Sequence, residues 1–503
     1  MTRLLLLVMI FPAQDGASQD KPITFIDETK DAGLVDALAG MMGHGGAWGD
    51  FDGDGKVDLF VGGFCDRPNS EYAPAKAPVP SRLFRNKGDG TFELTGQVEM
   101  HARTSGALFV DLDGDGLLEL YVSNNAKAKG GKTDEPQKSA TTRHSSLHRL
   151  HQGKFIEVPG CAAAPPTIFT SRNVGVLDYD GDGQLDLLVV EDKFTKAPRS
   201  ALLRNKGKLA FEDVTGAAGI PQDLFGLGLA VGDVNGDGRP DFFIAHSNRL
   251  FINEGGKFVE YKSDVFDHHP TDGEDWPCGA VFADLNRDGR PDLVVTAHHE
   301  GARNRIFLGD GKGGFRDITK EAGLGDVVPT KCPHVEVQDF DNDGWPDIYT
   351  SAAWMDGDRV VPLIYRHTGV KDGIPRFEPI RPIKAPMVYY PAGPTADYDG
   401  DGRLDIFLIN WFAGRRCTLL RNESPKRHWI DVRIANKTMG IGAKIRIGEQ
   451  VQELNIGYGY ASGQTATCHF GLGDAAEVEV EIVVDGKTIK QKTKADQVLT
   501  VRP

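Results

Sequence analysis

Short apolar runs, separated by polar and glycine-rich stretches, recur along this chain in a fixed order. In the first group Ala47-Trp48-Gly49 comes before a polar stretch and Leu59-Phe60-Val61-Gly62 after it. Arg82-Leu83-Phe84-Arg85 and Thr91-Phe92-Glu93-Leu94 complete the group. Runs of this length bounded by Gly, Asn and Asp predict β-strands. Between the last two lies Asn86-Lys87-Gly88-Asp89-Gly90, a hairpin turn by composition. The third and fourth runs return as Ala201-Leu202-Leu203-Arg204 with Phe211-Glu212-Asp213-Val214-Thr215. They return again as Arg305-Ile306-Phe307-Leu308 with Phe315-Arg316-Asp317-Ile318-Thr319.

The polar stretch between the first two runs is the most regular element. It reads D-x-[DN]-x-D-G-x-x-[DE] and occurs seven times, with starts 51 to 67 residues apart. The acidic or amide positions are Asp50, Asp52, Asp54 and Asp58 in the first loop, and Asp111, Asp113, Asp115 and Glu119 in the second. The third has Asp178, Asp180, Asp182 and Asp186, and the fourth Asp233, Asn235, Asp237 and Asp241. The fifth has Asp284, Asn286, Asp288 and Asp292, and the sixth Asp339, Asp341, Asp343 and Asp347. The seventh has Asp397, Asp399, Asp401 and Asp405.

Four antiparallel strands written seven times predict an all-β fold, a seven-bladed β-propeller. The seventh unit has its third strand, Thr418-Leu419-Leu420-Arg421, but no F-x-D-x-T strand after it. That piece stands at the other end of the chain, as Phe25-Ile26-Asp27-Glu28-Thr29. The N-terminal strand is therefore expected to complete blade seven, which removes an exposed sheet edge. Past Pro425 the acidic repeat stops. Alternating runs such as Trp429-Ile430-Asp431-Val432-Arg433-Ile434 and Val478-Glu479-Val480-Glu481-Ile482 predict a small, sandwich-like all-β domain. The expected domains are a propeller over residues 21–425 and this smaller unit over 426–503.

The acidic loop followed by an apolar strand resembles the FG-GAP or VCBS repeat of integrin-α-type propellers. The tail stretches Met439-Gly440-Ile441-Gly442-Ala443, Gly457-Tyr458-Gly459-Tyr460-Ala461-Ser462 and His469-Phe470-Gly471-Leu472-Gly473 are similar to the ASPIC/UnbV domain. Together they resemble the cartilage acidic protein family and its bacterial relatives. The resemblance implies an exported calcium-binding protein and no established catalysis.

The loop chemistry points the same way. Calcium takes six to eight oxygen ligands in flexible geometry. Alternating carboxylates at positions one, three and five can turn inward together. A glycine permits the turn, the carbonyl of the seventh residue adds an oxygen, and the ninth carboxylate closes the cage. An EF-hand closes at position twelve between helices, which excludes it here. Magnesium demands stricter octahedral geometry, and transition metals prefer imidazole or thiolate, which these loops lack. Asn235 and Asn286 each remove a charge, so the fourth and fifth loops are expected to bind more weakly. Glu119 has the longer reach of the two acids and alters the second. About seven structural calcium ions are expected.

Charge agrees. The formal net charge is −15, which argues against a nucleic-acid partner. The loops carry 26 of the chain's 72 carboxylates, so divalent cations would bring it close to neutral. Arg3 followed by an apolar stretch over residues 4–11 predicts an export signal over 1–20, and a secreted, extracellular or periplasmic protein. No later segment is apolar enough to span a bilayer. Six cysteines form no C-x-x-C pair, which disfavours a zinc knuckle.

In a propeller with these loops on one face, the long connections at 66–81, 125–145 and 262–277 fall on the other. Polar residues gather at the inner strand ends there: His44, Arg172, His246, His298, His299, His334 and Trp411. They outline a candidate ligand funnel at the channel mouth. The bland reading is a solvated rim of ordinary polar residues. No G-x-S-x-G, H-E-x-x-H or phosphate-loop motif supports a known catalysis. The expected function is a non-enzymatic adhesion, scaffold or macromolecule-binding protein, with protein, glycan or extracellular matrix as partner. The alternative is a propeller enzyme, lectin or small-ligand binder using the funnel, where Trp354 and Trp411 can stack on sugar rings.

Overall fold

The computed structural model describes residues 23–64, 79–96, 98, 100, 102–124, 145–158, 171–191, 198–267 and 276–502. Within the last span 327, 329, 358, 381–385, 413, 436–438 and 485 are not described. The candidate export signal, Cys65, Cys161 and most of the three long connections lie outside these residues.

Seven sheets of four main strands surround a central channel, as a seven-bladed β-propeller, and two further sheets follow in the C-terminal region. Blade one shows the plan: Gly43–Gly49 innermost, then Asp58–Gly63, Arg82–Asn86 and Phe92–Leu94, all antiparallel. Blade six has the longest strands, Asp347–Asp356 and Arg359–Lys371, and an extra strand, Met387–Tyr389, on its second. Blade seven is built from both ends of the propeller sequence. Its outer strand is Phe25–Asp27, paired with Thr418–Asn422 in the register Phe25 to Asn422 and Asp27 to Leu420.

The inner and second strands are buried almost throughout, which explains their near-continuous apolar runs. The core lies between neighbouring blades. Leu188, Val190 and Leu202 of blade three pack with Leu229, Val231, Phe242 and Ile244 of blade four. Trp48 fills the seam between blades one and seven, and its Nε1 donates to Pro394 O at 2.9 Å.

A side-chain device recurs in the outer strands. Asp27 Oδ1 accepts from the N–H and the hydroxyl of Thr29, and Thr29 Oγ1 accepts from Leu419 N–H at 2.9 Å. Asp213 and Thr215 do this in blade three, where Leu202 N–H donates to Thr215 Oγ1 at 3.0 Å. The F-x-D-x-T pattern thus fastens the fourth strand to the third where the ladder ends.

The C-terminal region packs the sheet of His428–Ile434, Cys468–Gly473 and Gln497–Val501 on that of Lys444–Ile447, Gln450–Glu453, Glu477–Val484 and Lys487–Lys494. Ile430, Val432, Ile445, Phe470, Val480 and Ile482 form its own core. Between Glu453 and Cys468 the chain leaves this unit and enters the propeller. Ser462–Gly463 pairs in parallel with Gly46 and Ala47, on the channel side of blade one.

Candidate metal centres

Each acidic loop curls because its first carboxylate collects backbone N–H groups ahead of it. In loop one Asp50 Oδ1 accepts from Asp54 N–H at 3.0 Å and Oδ2 from Gly55 N–H at 2.8 Å. Asp233 and Asp397 hold their loops the same way. The glycine after position five has positive φ, 89° at Gly55, which a side chain would strain. The curl brings acids together. Ligand oxygens lie within 4.8 Å of one another in Asp50, Asp52 and Asp58, in Asp178, Asp180 and Asp186, in Asp339, Asp341 and Asp347, and in Asp397, Asp399 and Asp405.

Loop two converges differently, through Asp111, Asp113 and Asp115, with Glu119 outside the triad. In loops four and five the amide takes the third position, and its Nδ2 donates to the fifth: Asn235 to Asp237 at 2.9 Å and Asn286 to Asp288 at 3.0 Å. Arginines lean on the third-position acids of the triads themselves. Arg85 Nε lies 2.7 Å from Asp52, Arg204 Nε 2.8 Å from Asp180, and Arg366 3.1 Å from Asp341.

The ninth-position carboxylate has a structural task besides any ligation. Asp58 Oδ2 accepts from Phe51 N–H at 3.1 Å and Oδ1 from Asn86 N–H at 2.8 Å. Asp186, Asp241, Asp347 and Asp405 repeat both bonds. Burial sets the electrostatics. With no cation present it pushes Asp58 and Asp241 up to about 7, and Glu119 and Asp186 up to about 8. Asp292, Asp339, Asp347 and Asp405 are also raised by burial. Several buried carboxylates facing one another favour either protons or a cation. The donors are all oxygens and no thiolate or imidazole joins a triad among the described residues, so the set fits a hard cation.

By composition the asparagine at the end of the third strand belongs to a turn. It is a stitch between blades. Asn86 Nδ2 donates to Val57 O at 3.0 Å and to Tyr398 O, in the loop of the preceding blade, at 2.7 Å. Asn205 reaches Leu112 O, Asn253 reaches Tyr179 O and Asn422 reaches Phe340 O, at 2.8 to 2.9 Å. His367 takes this place in blade six, with Nε2 3.1 Å from Leu285 O. The recurrence of asparagine as the last residue of the third strand is the signal the sequence carries.

The funnel residues do not assemble into one ligand set. His44 Nδ1 accepts from Arg172 at 3.2 Å and lies 3.3 Å from the Tyr460 hydroxyl. Its ring stacks on Phe64, with Trp411 edge-on at 4.4 Å between centroids. His334 is fully buried. Its Nδ1 accepts from Tyr460 N–H at 3.1 Å, so Nε2 carries the proton and donates to Glu336 at 3.0 Å. His298 stacks on Trp276, and burial pushes it down to about 3. His246 packs beside Phe225 with φ of 83°. His299 is half-buried next to His298.

What occupies the channel is the excursion between Glu453 and Cys468. Gly459 N–H donates to Leu229 O at 3.0 Å and Ala280 O at 2.8 Å, and Gly459 O accepts from Asn173 at 3.2 Å. Gln464 Nε2 donates to Glu336 at 3.1 Å, and Gly46 N–H donates to Ala461 O at 3.2 Å. Tyr460 marks the far end, 3 % exposed beside His44. A Cβ on Gly459 would lie 2.7 Å from Val335 O, and its φ is 77°. The rest of the unit sits on the acidic-loop face. Lys444 Nζ is 2.7 Å from Asp233, Met439 Sδ accepts from Asp111 N–H, and His469 Nε2 is 2.7 Å from Asn342 Oδ1.

Comparison with known proteins agrees with this architecture. The FG-GAP-like repeat matches residues 50–122, 178–244, 245–295 and 284–350, and the ASPIC and UnbV domain matches 434–503. Cartilage acidic protein 1 of Homo sapiens is 26% identical over 534 residues, covering 100% of this chain and 78% of that protein. The Mus musculus protein is 25% identical, covering 100% and 80%. Integrin alpha pat-2 of Caenorhabditis briggsae is 25% identical over 243 residues, covering 41% of this chain and 19% of its own. The chain is an FG-GAP-repeat propeller protein with a C-terminal ASPIC and UnbV domain, related along its whole length to cartilage acidic protein 1.

Proposed function

We propose that this protein is an exported propeller, rigidified by about seven calcium ions, that serves as an adhesion or scaffold protein. Its partner class is protein, glycan or extracellular matrix. The observation that carries the reading is the recurrence of carboxylate triads, with oxygens within 4.8 Å, at one position of successive blades. In this reading the ligands are the acids and amides at positions one, three, five and nine, from Asp50, Asp52, Asp54 and Asp58 through to Asp397, Asp399, Asp401 and Asp405. Bound calcium would neutralise these clusters, and its binding energy would add to folding stability.

The adhesion role draws support from relatives named for cartilage and for an integrin. No helix among the described residues is long and apolar enough to cross a membrane. We take the propeller as 21–425, the C-terminal domain as 426–503, and residues 1–20 as the export signal. Metal analysis of native protein, beside a binding screen of matrix proteins and glycans with and without calcium, tests the reading. Metal-free native protein would sink the calcium assignment. Partner binding indifferent to calcium removal would sink the rigid-scaffold role.

The second reading is a ligand site in the funnel. Tyr460 closes the channel beneath it, so such a site would gather around His44, Arg172 and Trp411. A ligand found in the screen whose binding survives Trp411→Ala would exclude that site.

A further inference from the structure

The seven loops are not equally placed. The triads of loops one, three and seven each keep two half-exposed members, whereas Asp339, Asp341 and Asp347 of loop six are all buried. Much of what covers them comes from the C-terminal domain. Its strand Cys468–Gly473 crosses the loop. His469 Nε2 lies 2.7 Å from Asn342 Oδ1, and Gly473 N–H donates to Asn342 O at 2.9 Å. Gly471 sits so close that a Cβ there would lie 2.0 Å from Asp339 Oδ2. Arg427, just before that domain's first strand, donates to Asp341 O at 2.7 Å and lies 3.1 Å from its Oδ2.

We infer that the C-terminal domain is a lid on the sixth loop: a cation held there leaves only when the domain lifts, and docking and cation binding at this loop are linked. This rests on the calcium reading above.

Three carboxylates withdrawn from water are costly unless neutralised. Arg366 and Arg427 on Asp341 supply part of the opposing charge, and a divalent ion supplies the rest. The docked state therefore holds the ion more tightly, and the ion strengthens docking by the same factor. Loops whose triads reach solvent need no domain movement for exchange. The chain marks this seam in its sequence. The fourth loop position is Gly53, Gly114, Gly181, Gly236 and Gly400 in five loops but Arg287 and Asn342 in the fifth and sixth. Both adopt left-handed backbone, φ 60° and 54°, a region that favours glycine and that Asn tolerates better than Arg. Asn342 is the residue that meets His469. Arg287 lies over Trp345 of loop six, 3.6 Å from the ring centroid.

The test uses the full chain loaded with calcium and mixed rapidly with an excess of a chromophoric calcium chelator. Native protein is expected to release one ion in a slow phase and the others fast. Gln464→Ala removes the plug's bond to Glu336 inside the channel. Gly471→Ala wedges the lid directly. In each variant the slow phase should merge with the fast one, and the sixth ion should bind about 5–150-fold more weakly. Should Gly471→Ala fail to fold, Gln464→Ala alone decides. Release of all ions from native protein in one fast phase overturns the lid and leaves the calcium reading standing. So does a slow phase untouched by Gln464→Ala. A protein that takes up no calcium overturns both.

Discussion

The hydroxyl of Tyr460, from the C-terminal domain, lies 3.3 Å from Nδ1 of His44 at the far end of the propeller's innermost strand. Between these two residues the polypeptide has passed through the ring. The channel of this propeller is filled by its own chain, and the acidic face is largely a seat for the C-terminal domain.

That seat predicts how the plug responds to bulk. Gly459→Ala puts a Cβ 2.7 Å from Val335 O and forces a left-handed backbone on alanine, about 1–2 kcal/mol before any steric repulsion. The variant should melt lower and expose the Glu453–Cys468 segment to protease first. Melting at the native temperature with native protection would contradict the plug.

The stitch between blades gives a second prediction. Asn205→Ala strands the buried carbonyls of Leu112 and Leu185, at about 1–3 kcal/mol for each group left unsatisfied. Asn205→Asp should be equally harmful, since a carboxylate cannot donate to a carbonyl. Urea unfolding of both variants checks this.

Ring closure is tested at Thr29. Thr29→Val removes the acceptor for Leu419 N–H and the partner of Asp27, at about 1–3 kcal/mol. Thr215→Val, the matching change in blade three, should cost a similar amount. A much smaller effect at Thr29 would show that the N-terminal strand adds little to blade seven.

Acid–base behaviour follows from burial. In metal-free protein Asp58, Asp186 and Asp241 hold protons to about 7 or 8 when folded, but lose them near 4 when unfolded. Between those values the folded state binds more protons, so stability falls as pH rises through the window. Chelated protein should therefore melt progressively lower from pH 4 to pH 8. Calcium-loaded protein should resist that decline, because the ion takes over the neutralising role.

Much of this was legible in the sequence. The acidic loops repeat at near-constant spacing, and Phe25 to Thr29 reads like Phe315 to Thr319, so the ring and its seam follow from local pattern. The convergence of Asp50, Asp52 and Asp58 also follows, because backbone geometry within nine residues fixes it. The plug did not show. Gly457, Gly459 and Gly463 carry no strand alternation, and their reason lies in inner strands far away in the chain. The funnel histidines looked like a cluster because strand ends bring them to one face, but His334 and His44 are spent on Glu336 and Arg172. Nothing local distinguishes Asn342 from a turn residue until His469 is laid against it.

The most direct test of the account is thermal melting of the native protein beside a portion stripped with chelator and shown by elemental analysis to be metal-free. The account predicts several calcium ions per chain in the native protein. It also predicts a melting temperature many degrees lower once they are removed, recovered on adding calcium but not magnesium at equal concentration. A native protein without calcium, or identical melting curves for the loaded and stripped forms, would contradict it.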